Sequence, residues 1–246
     1  QGSGKSTLAD YLTEQLSHQY GFQTVQCSLD DFYLSRNDRH KLGQTVHPLL
    51  ATRGVPGTHR TQLAIQCLHT LGNGEATQLP RFDKSVDDVC DTCQIINAGT
   101  DVVIFEGWCL GASPQSKSQL TTPVNSLEIN EDPDGSWRRY VNQQLKLDYS
   151  ELFGLINYMV MLKAPSFETV AGWRLEQERK LAEKLALSNQ TAASQSDTKH
   201  LMSEAEINRF IQFYQRLTEH LLDTLPSRAD RVYKLNTNRV IQSCDE

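Results

Sequence analysis

The first seven residues, Gln1-Gly2-Ser3-Gly4-Lys5-Ser6-Thr7, match the end of the pattern G-x-x-x-x-G-K-[ST]. Glycines let backbone N–H groups turn inward around phosphate oxygens. A helix that begins at such a loop turns its positive end toward the anion. Lys5 is placed to reach the β- and γ-phosphates of a nucleotide, Ser6 to ligate Mg²⁺, and Thr7 to support the α-phosphate side. Gly2, Ser3 and Gly4 supply the backbone of the cradle. The first glycine of the pattern would lie two positions before Gln1, and a strand should lead into the loop. Either the sequence starts after that strand or the fold lacks a central element; the first is expected.

Apolar spacing organises the rest of the chain. Residues 5–19 read as a helix with Leu8, Leu12 and Leu16 on one face. Residues 23–30 read as a strand ending in acids, and 35–60 as a loop or substrate flap rich in Gly, Pro and His. A short helix is expected over 60–71, stopped by Gly72, Asn73 and Gly74, and irregular chain over 76–100. Val102–Phe105 has the continuous apolar character of a buried parallel strand. Residues 111–135 read as a loop, 136–152 as helix, Ile156–Leu162 as strand and 167–187 as a charged helix. A polar stretch follows at 188–202. Ser203 and Glu206 form a capping box ahead of Ile207, Phe210, Ile211, Tyr214, Leu217 and Leu221 at helical spacing. Arg231–Leu235 is expected as a last short strand. Strands alternating with helices predict an α/β fold, a parallel sheet with right-handed crossovers, and one domain over 1–246 elaborated at 35–100.

Two acidic sites fall at the carboxyl ends of apolar strands, where ligands bind in open α/β sheets. Asp30-Asp31 follows one strand and Glu106 the other. A phosphoryl acceptor needs its hydroxyl oriented and its proton removed. Asp30 is the expected base, and Glu106 the expected carboxylate for Mg²⁺ or its waters. Turn-forming or solvated acids would look similar at these places, Asp31 especially.

These residues carry a recognisable likeness. The chain resembles the kinase group that includes uridine kinase, pantothenate kinase and phosphoribulokinase, and within it D-glycerate 3-kinase and its relatives. The segments concerned are QGSGKST, SLDDFYL (28–34), RGVPGTHR (53–60), LPRFDKS (79–85), VVIFEGWCLG (102–111), WRLEQERKL (173–181) and MSEAEINRFIQFY (202–214). The resemblance implies a three-layer P-loop NTPase fold, with helices on both faces of a mostly parallel sheet and a helical lid over 167–203. It implies ATP and Mg²⁺ as cofactors and Asp30 as the acid that activates an acceptor hydroxyl. It places PRFDKS and RGVPGTH beside the substrate, with Asp31, Tyr33, His59, Arg81, Asp83 and Lys84 as candidate contacts. Glycerate-kinase-like sequences often carry Asp after GTH, where this chain has Arg60.

Transition-state charge on a transferring phosphoryl group calls for cations nearby. Arg174 is assigned to that task and Arg179 to the nucleotide, although both have i,i+4 glutamates and would serve equally on a solvated face. Arg81 and Lys84 could bind a carboxylate or phosphate of the acceptor. Together these features predict transfer of the γ-phosphoryl group of ATP to a small metabolite, a glycerate-like hydroxy acid first. A nucleoside or pantothenate kinase is the nearest alternative, and a slow ATP-hydrolysing switch the alternative from another class.

The net charge of −6 argues against a general nucleic-acid binder. No apolar run is long enough to span a membrane, and no signal-peptide pattern is seen. Six scattered cysteines suit a reduced, cytoplasmic setting. Cys90 and Cys93 form a C-x-x-C without the second pair that a structural zinc site needs.

Overall fold

The computed structural model describes residues 2–191 and 203–245. Helix α1 (Lys5–Tyr20) starts at the phosphate loop and ends on Gly21, whose left-handed φ of 72° closes the last turn. Strand β1 (Thr24–Ser28) then runs into a single 3-10 turn, Leu29–Phe32. Helix α2 (Arg36–Thr45), a second 3-10 turn (Pro48–Ala51) and helix α3 (Thr61–Gly72) follow. Four short strands, β2 (Thr77–Leu79), β3 (Phe82–Asp83), β4 (Asp88–Val89) and β5 (Gln94–Ile96), pair as a nested antiparallel hairpin, β2 with β5 and β3 with β4.

Strand β6 (Val102–Glu106) pairs parallel with β1, in a register that puts Ser28 opposite Glu106. Helices α4 (Ser126–Glu131), α5 (Ser136–Lys146) and α6 (Asp148–Gly154) lead to β7 (Val160–Lys163). Helix α7 (Phe167–Thr191), helix α8 (Glu204–Thr224), β8 (Arg231–Leu235) and β9 (Ile241–Asp245) complete the described chain. Strand β8 pairs parallel with β7 and antiparallel with β9. The fold is α/β with parallel pairing at its centre.

Several expectations need correction. Residues 35–60 are no open flap: they hold α2, a 3-10 turn and a buried segment around Val55, Thr58 and His59. Helix α2 lacks an apolar stripe because its anchor is Arg39, which is 1% exposed and donates to the carbonyls of Leu34, Ala51 and Asp87. Residues 76–100 form the nested hairpin, 111–135 contain α4, and the 136–152 helix breaks at Leu147 into α5 and α6. The Ile156–Leu162 strand starts later, at Val160, and Arg231–Leu235 is followed by the exposed β9. Helix α7 continues to Thr191, into the expected polar stretch; Gln1 and residues 192–202 of that stretch and of the expected lid lie outside the described residues.

Strand β6 is half-buried rather than buried. It and β7 border a groove of about 880 Å³, which Leu8, Leu12 and Leu16 of α1 also line. The leucine stripe therefore lies on one face, as its spacing predicts, and that face looks into the groove. The strand expected ahead of the phosphate loop is not among the described residues.

The main core packs Val25, Cys27, Leu29 and Phe32 of the β1 region against Leu71 of α3, Leu145, Leu152 and Leu221. A second cluster joins Leu49, Leu50 and Val55 to Trp137, Phe213 and Tyr214. Helix α8 is further held by a buried ion pair. Arg216 Nε and Nη2 reach Glu128 Oε1 and Oε2, both at 2.7 Å, and the guanidinium also donates to the carbonyls of Gln119 and Thr122. Removing one member of a buried pair strands the other charge, at about 3–5 kcal/mol. Arg216→Met is expected to lower unfolding free energy by about that amount, read from urea midpoints. Adding Glu128→Gln should cost less than the two single substitutions summed.

Candidate active site

Gly2 and Gly4 take φ of 71° and 88°, a region open to glycine and strained for other residues. A Cβ at Gly4 would meet nothing within 4 Å among the described residues, so the backbone rather than packing sets the need for glycine there. Lys5 opens α1, and its Nζ lies 2.8 Å from Glu106 Oε2. Ser6 Oγ donates to Glu106 Oε1 at 2.9 Å. The loop and the end of β6 thus converge on one carboxylate, and a hydroxyl beside a carboxylate oxygen is the hard-donor set that Mg²⁺ accepts. Ser3 lines the groove beside the loop, and Thr7 is exposed.

Asp30 lies two residues beyond Ser28, and so close to Glu106, which faces Ser28 in the register. The 3-10 turn puts Leu29 and Phe32 into the core and leaves Asp30 and Asp31 on its outer side. Ser28 caps the turn by accepting the Asp30 N–H. Tyr33 donates its hydroxyl to Asp30 Oδ1 at 3.0 Å, and Lys84 Nζ lies 2.6 Å from Oδ2. Burial is the largest single influence on Asp30 and pushes its pKa up. The charge and hydrogen bond of Lys84, with Lys5 and His59, outweigh it and hold the carboxyl below its ordinary range. Asp30 is an ionised carboxylate paired with Lys84 and acted on by the charge of Lys5.

Asp31 has a different position. Arg81 Nη1 donates to its Oδ2 at 2.9 Å and the Phe82 N–H to its Oδ1 at 3.2 Å. It clasps the hairpin to the 3-10 turn, and Arg81 is shared between it and Gln94. Asp83 accepts the Ser85 N–H at 2.7 Å, within its own turn. Lys84 is the hairpin side chain that reaches Asp30.

His59 is 5% exposed and bridged to Tyr33 as an isolated β pair. Its ring stacks on Tyr33 with centroids 4.5 Å apart, and its Nδ1 lies 2.5 Å from the Tyr149 hydroxyl. Burial lowers its pKa to about 4, against the pull of Asp30, so the imidazole is neutral at pH 7. His59 Nε2 is buried with no hydrogen-bond partner among the described residues. Such a nitrogen costs free energy until something bonds it.

Spacing did not single out several neighbours. Tyr149 of α6 holds His59 and also accepts the Gly57 N–H at 2.9 Å. Arg39 and Arg53 lie over the Phe82 ring, 5.7 Å and 5.6 Å from its centroid, and both pair with Asp87. Arg53 opens the RGVPGTHR segment, the one available hint. Helix α7 puts the expected lid cations elsewhere: Arg174 lies 5.4 Å over the Phe210 ring of α8, and Arg179 is exposed.

The chain is 32% identical over 239 residues to the uncharacterized kinase mug58 of Schizosaccharomyces pombe, covering 93% of this chain and 80% of mug58. It is 32% identical over 199 residues to TDA10, a probable ATP-dependent kinase of Saccharomyces cerevisiae, covering 75% of this chain and 67% of that one. The structure of D-glycerate 3-kinase from Cryptococcus neoformans superposes with a TM-score of 0.78 at 27% identity, over 98% of this chain and 85% of that protein. No protein-family model matches the chain. A phosphate loop paired with a strand-end carboxylate, on a chain this similar along its length to these proteins, makes it an ATP-dependent small-molecule kinase of the family to which mug58 and TDA10 belong.

Proposed function

We propose that this kinase phosphorylates a hydroxyl of a small, carboxylate-bearing hydroxy acid of the glycerate type. The observation that carries the reading is Asp30, an ionised carboxylate paired with Lys84 and acted on by the charge of the phosphate-loop cation Lys5. A base facing the transferring group on one side and an acceptor-side cation on the other is what transfer to an anionic alcohol requires. The similarity to a D-glycerate 3-kinase supports the same acceptor class.

Residues Gly2 to Thr7 would cradle the phosphates of ATP, with Lys5 leaving Glu106 for the β- and γ-oxygens. Ser6 and Glu106 would hold Mg²⁺, which when bound neutralises charge across those oxygens. Asp30 accepts the proton of the acceptor hydroxyl as that oxygen attacks. Lys84 exchanges Asp30 for the acceptor carboxylate, which frees the base at the moment of binding. His59 Nε2 bonds the acceptor, and Tyr33 keeps Asp30 oriented. Arg81, Asp31 and Asp83 shape the hairpin that carries Lys84. In this reading 35–100 is the substrate-side elaboration, and α7 belongs to a lid that brings Arg174 and Arg179 toward ATP. The sheet then lies between helices as the middle of three layers, within one domain.

Glycerate should stimulate ADP release from Mg-ATP well above water, and above glycerol, pantothenate and uridine, in a coupled assay on the full-length protein. Release no faster with any acceptor than without one ends the acceptor assignment. Asp30→Asn should lower kcat by about 10²–10⁴-fold with ATP affinity by calorimetry changed less than about twofold. A comparable loss of ATP affinity would show that Asp30 is not the base.

The pH dependence follows from the balance at Asp30. The base works only when ionised, and Lys84 is the largest influence holding its pKa down. Lys84→Met leaves burial to dominate, so the carboxyl rises. The acid limb of kcat/KM for the acceptor should therefore move to higher pH, and the acceptor KM should increase. An unmoved acid limb would mean that Lys84 does not set the base.

A further inference from the structure

The first part of α7 and the phosphate loop meet at one side chain that the site described above does not use. Arg239 lies in the turn between β8 and β9, at a φ of 64°. Left-handed backbone is unfavourable for a branched or long side chain, and it persists where surrounding contacts over-determine it. Three contacts do so here. Arg239 Nε donates to the Gly2 carbonyl at 2.6 Å, its Nη2 lies 2.7 Å from Glu176 Oε2, and its guanidinium carbon sits 5.2 Å over the Trp173 ring.

The turn itself is built to present that side chain. Asn236 Oδ1 accepts the N–H groups of Asn238 and Val240, and the Arg239 N–H bonds back to the Asn236 carbonyl. Trp173 Nε1 donates to the Thr237 carbonyl at 2.6 Å, so the indole is fixed from the same turn. The indole stem also abuts the loop: a Cβ on Gly2 would fall 2.8 Å from Trp173 Cβ. Glu176 and Trp173 belong to α7, and Gly2 to the cradle.

Peptide geometry gives the contact a consequence. In a planar trans peptide the C=O and the following N–H point in opposite directions. Holding the Gly2 carbonyl on Arg239 therefore fixes the Ser3 N–H toward the opposite side. A planar guanidinium can hold the carbonyl and a carboxylate at once, which an ammonium cannot do with the same geometry.

We propose that Arg239 is a positioning residue of the phosphate loop, tying the orientation of the Gly2–Ser3 peptide to the root of helix α7. It rests on residues 2–7 binding the nucleotide phosphates. A movement of α7 at Glu176 reaches the Gly2–Ser3 peptide through this side chain, beside the direct contact of Trp173 with Gly2.

Arg239→Gly tests the idea in the full-length enzyme, since glycine accepts the left-handed backbone while removing the contacts. Its melting temperature should stay within about 3 °C of wild type. Its dissociation constant for Mg-ATP should rise about tenfold, with the acceptor KM changed less than twofold. Arg239→Lys, with one donor able to reach the Gly2 carbonyl, should recover part of that loss, and Glu176→Gln should weaken ATP binding about threefold. If Arg239→Gly does not fold, Arg239→Met keeps the stem over Trp173, removes every donor and carries the same expectation. Unchanged ATP affinity in the Gly or Met variant, or an acceptor KM rising in step with it, overturns the proposal. A wild-type protein that fails to bind Mg-ATP would sink the phosphate-loop assignment itself, which separates the two failures.

Discussion

The parallel register between β1 and β6 is the constraint on which the site depends. It sets Ser28 opposite Glu106 and so brings two strand ends, distant in the chain, to one edge of the sheet. The 3-10 turn after Ser28 then carries Asp30 outward while Leu29 and Phe32 stay in the core. A slip of one residue in this pairing would turn every side chain of the strand to the other face. Glu106 would no longer meet Lys5 and Ser6. The burial of Val25, Cys27 and Leu29 therefore fixes the register, and the register fixes the geometry of the carboxylates.

The second half of the site is assembled by charge rather than by apolar packing. Asp31 clasps the hairpin through Arg81 and the Phe82 N–H, and Asp87 draws in Arg39 and Arg53 beside Phe82. The Arg81 and Arg53 pairs are partly exposed, and such pairs singly add little to stability. Their effect is positional. They set the base of the hairpin so that Lys84, at its tip, is within reach of Asp30. His59 is held in the opposite manner, deep between Tyr33 and Tyr149, where burial keeps it neutral. This half of the site thus combines a cation on a short hairpin with an uncharged ring nitrogen in a fixed wall.

What could be read from the sequence follows the same division. That Lys5 and Ser6 meet Glu106, with Asp30 at the neighbouring strand end, could be expected because a glycine-bounded loop and acids at the ends of apolar strands are local patterns with a fixed physical meaning. The capping box at Ser203 and the apolar stripe of α8 were legible for the same reason. Helix α2 was not, because a buried arginine bonded to three carbonyls replaces the apolar stripe that marks a helix. Two-residue strands such as β3 and β4 are too short to show alternation. Tyr149 and Arg239 reach the site from elements far along the chain, and only the fold reveals whom they touch. Arg174 illustrates the converse. Its spacing and charge fit a lid, yet in this structure the guanidinium rests on the Phe210 ring.

The described structure pairs Lys5 with Glu106 and Lys84 with Asp30. These pairs protect the site from the cost of unpaired charge, and under the proposed function each would be exchanged before transfer. A polyphosphate carries more negative charge than the single carboxylate it would displace, so Lys5 would gain by the exchange, leaving Ser6 and Glu106 as the residues that would hold Mg²⁺. For Lys84 the exchange would be even, one carboxylate for another, and a neutral alcohol could not drive it. The ion pair that holds the Asp30 carboxyl below its ordinary range would thereby discriminate among acceptors. An acid would supply the group that releases the base, whereas an uncharged alcohol would meet a base still engaged.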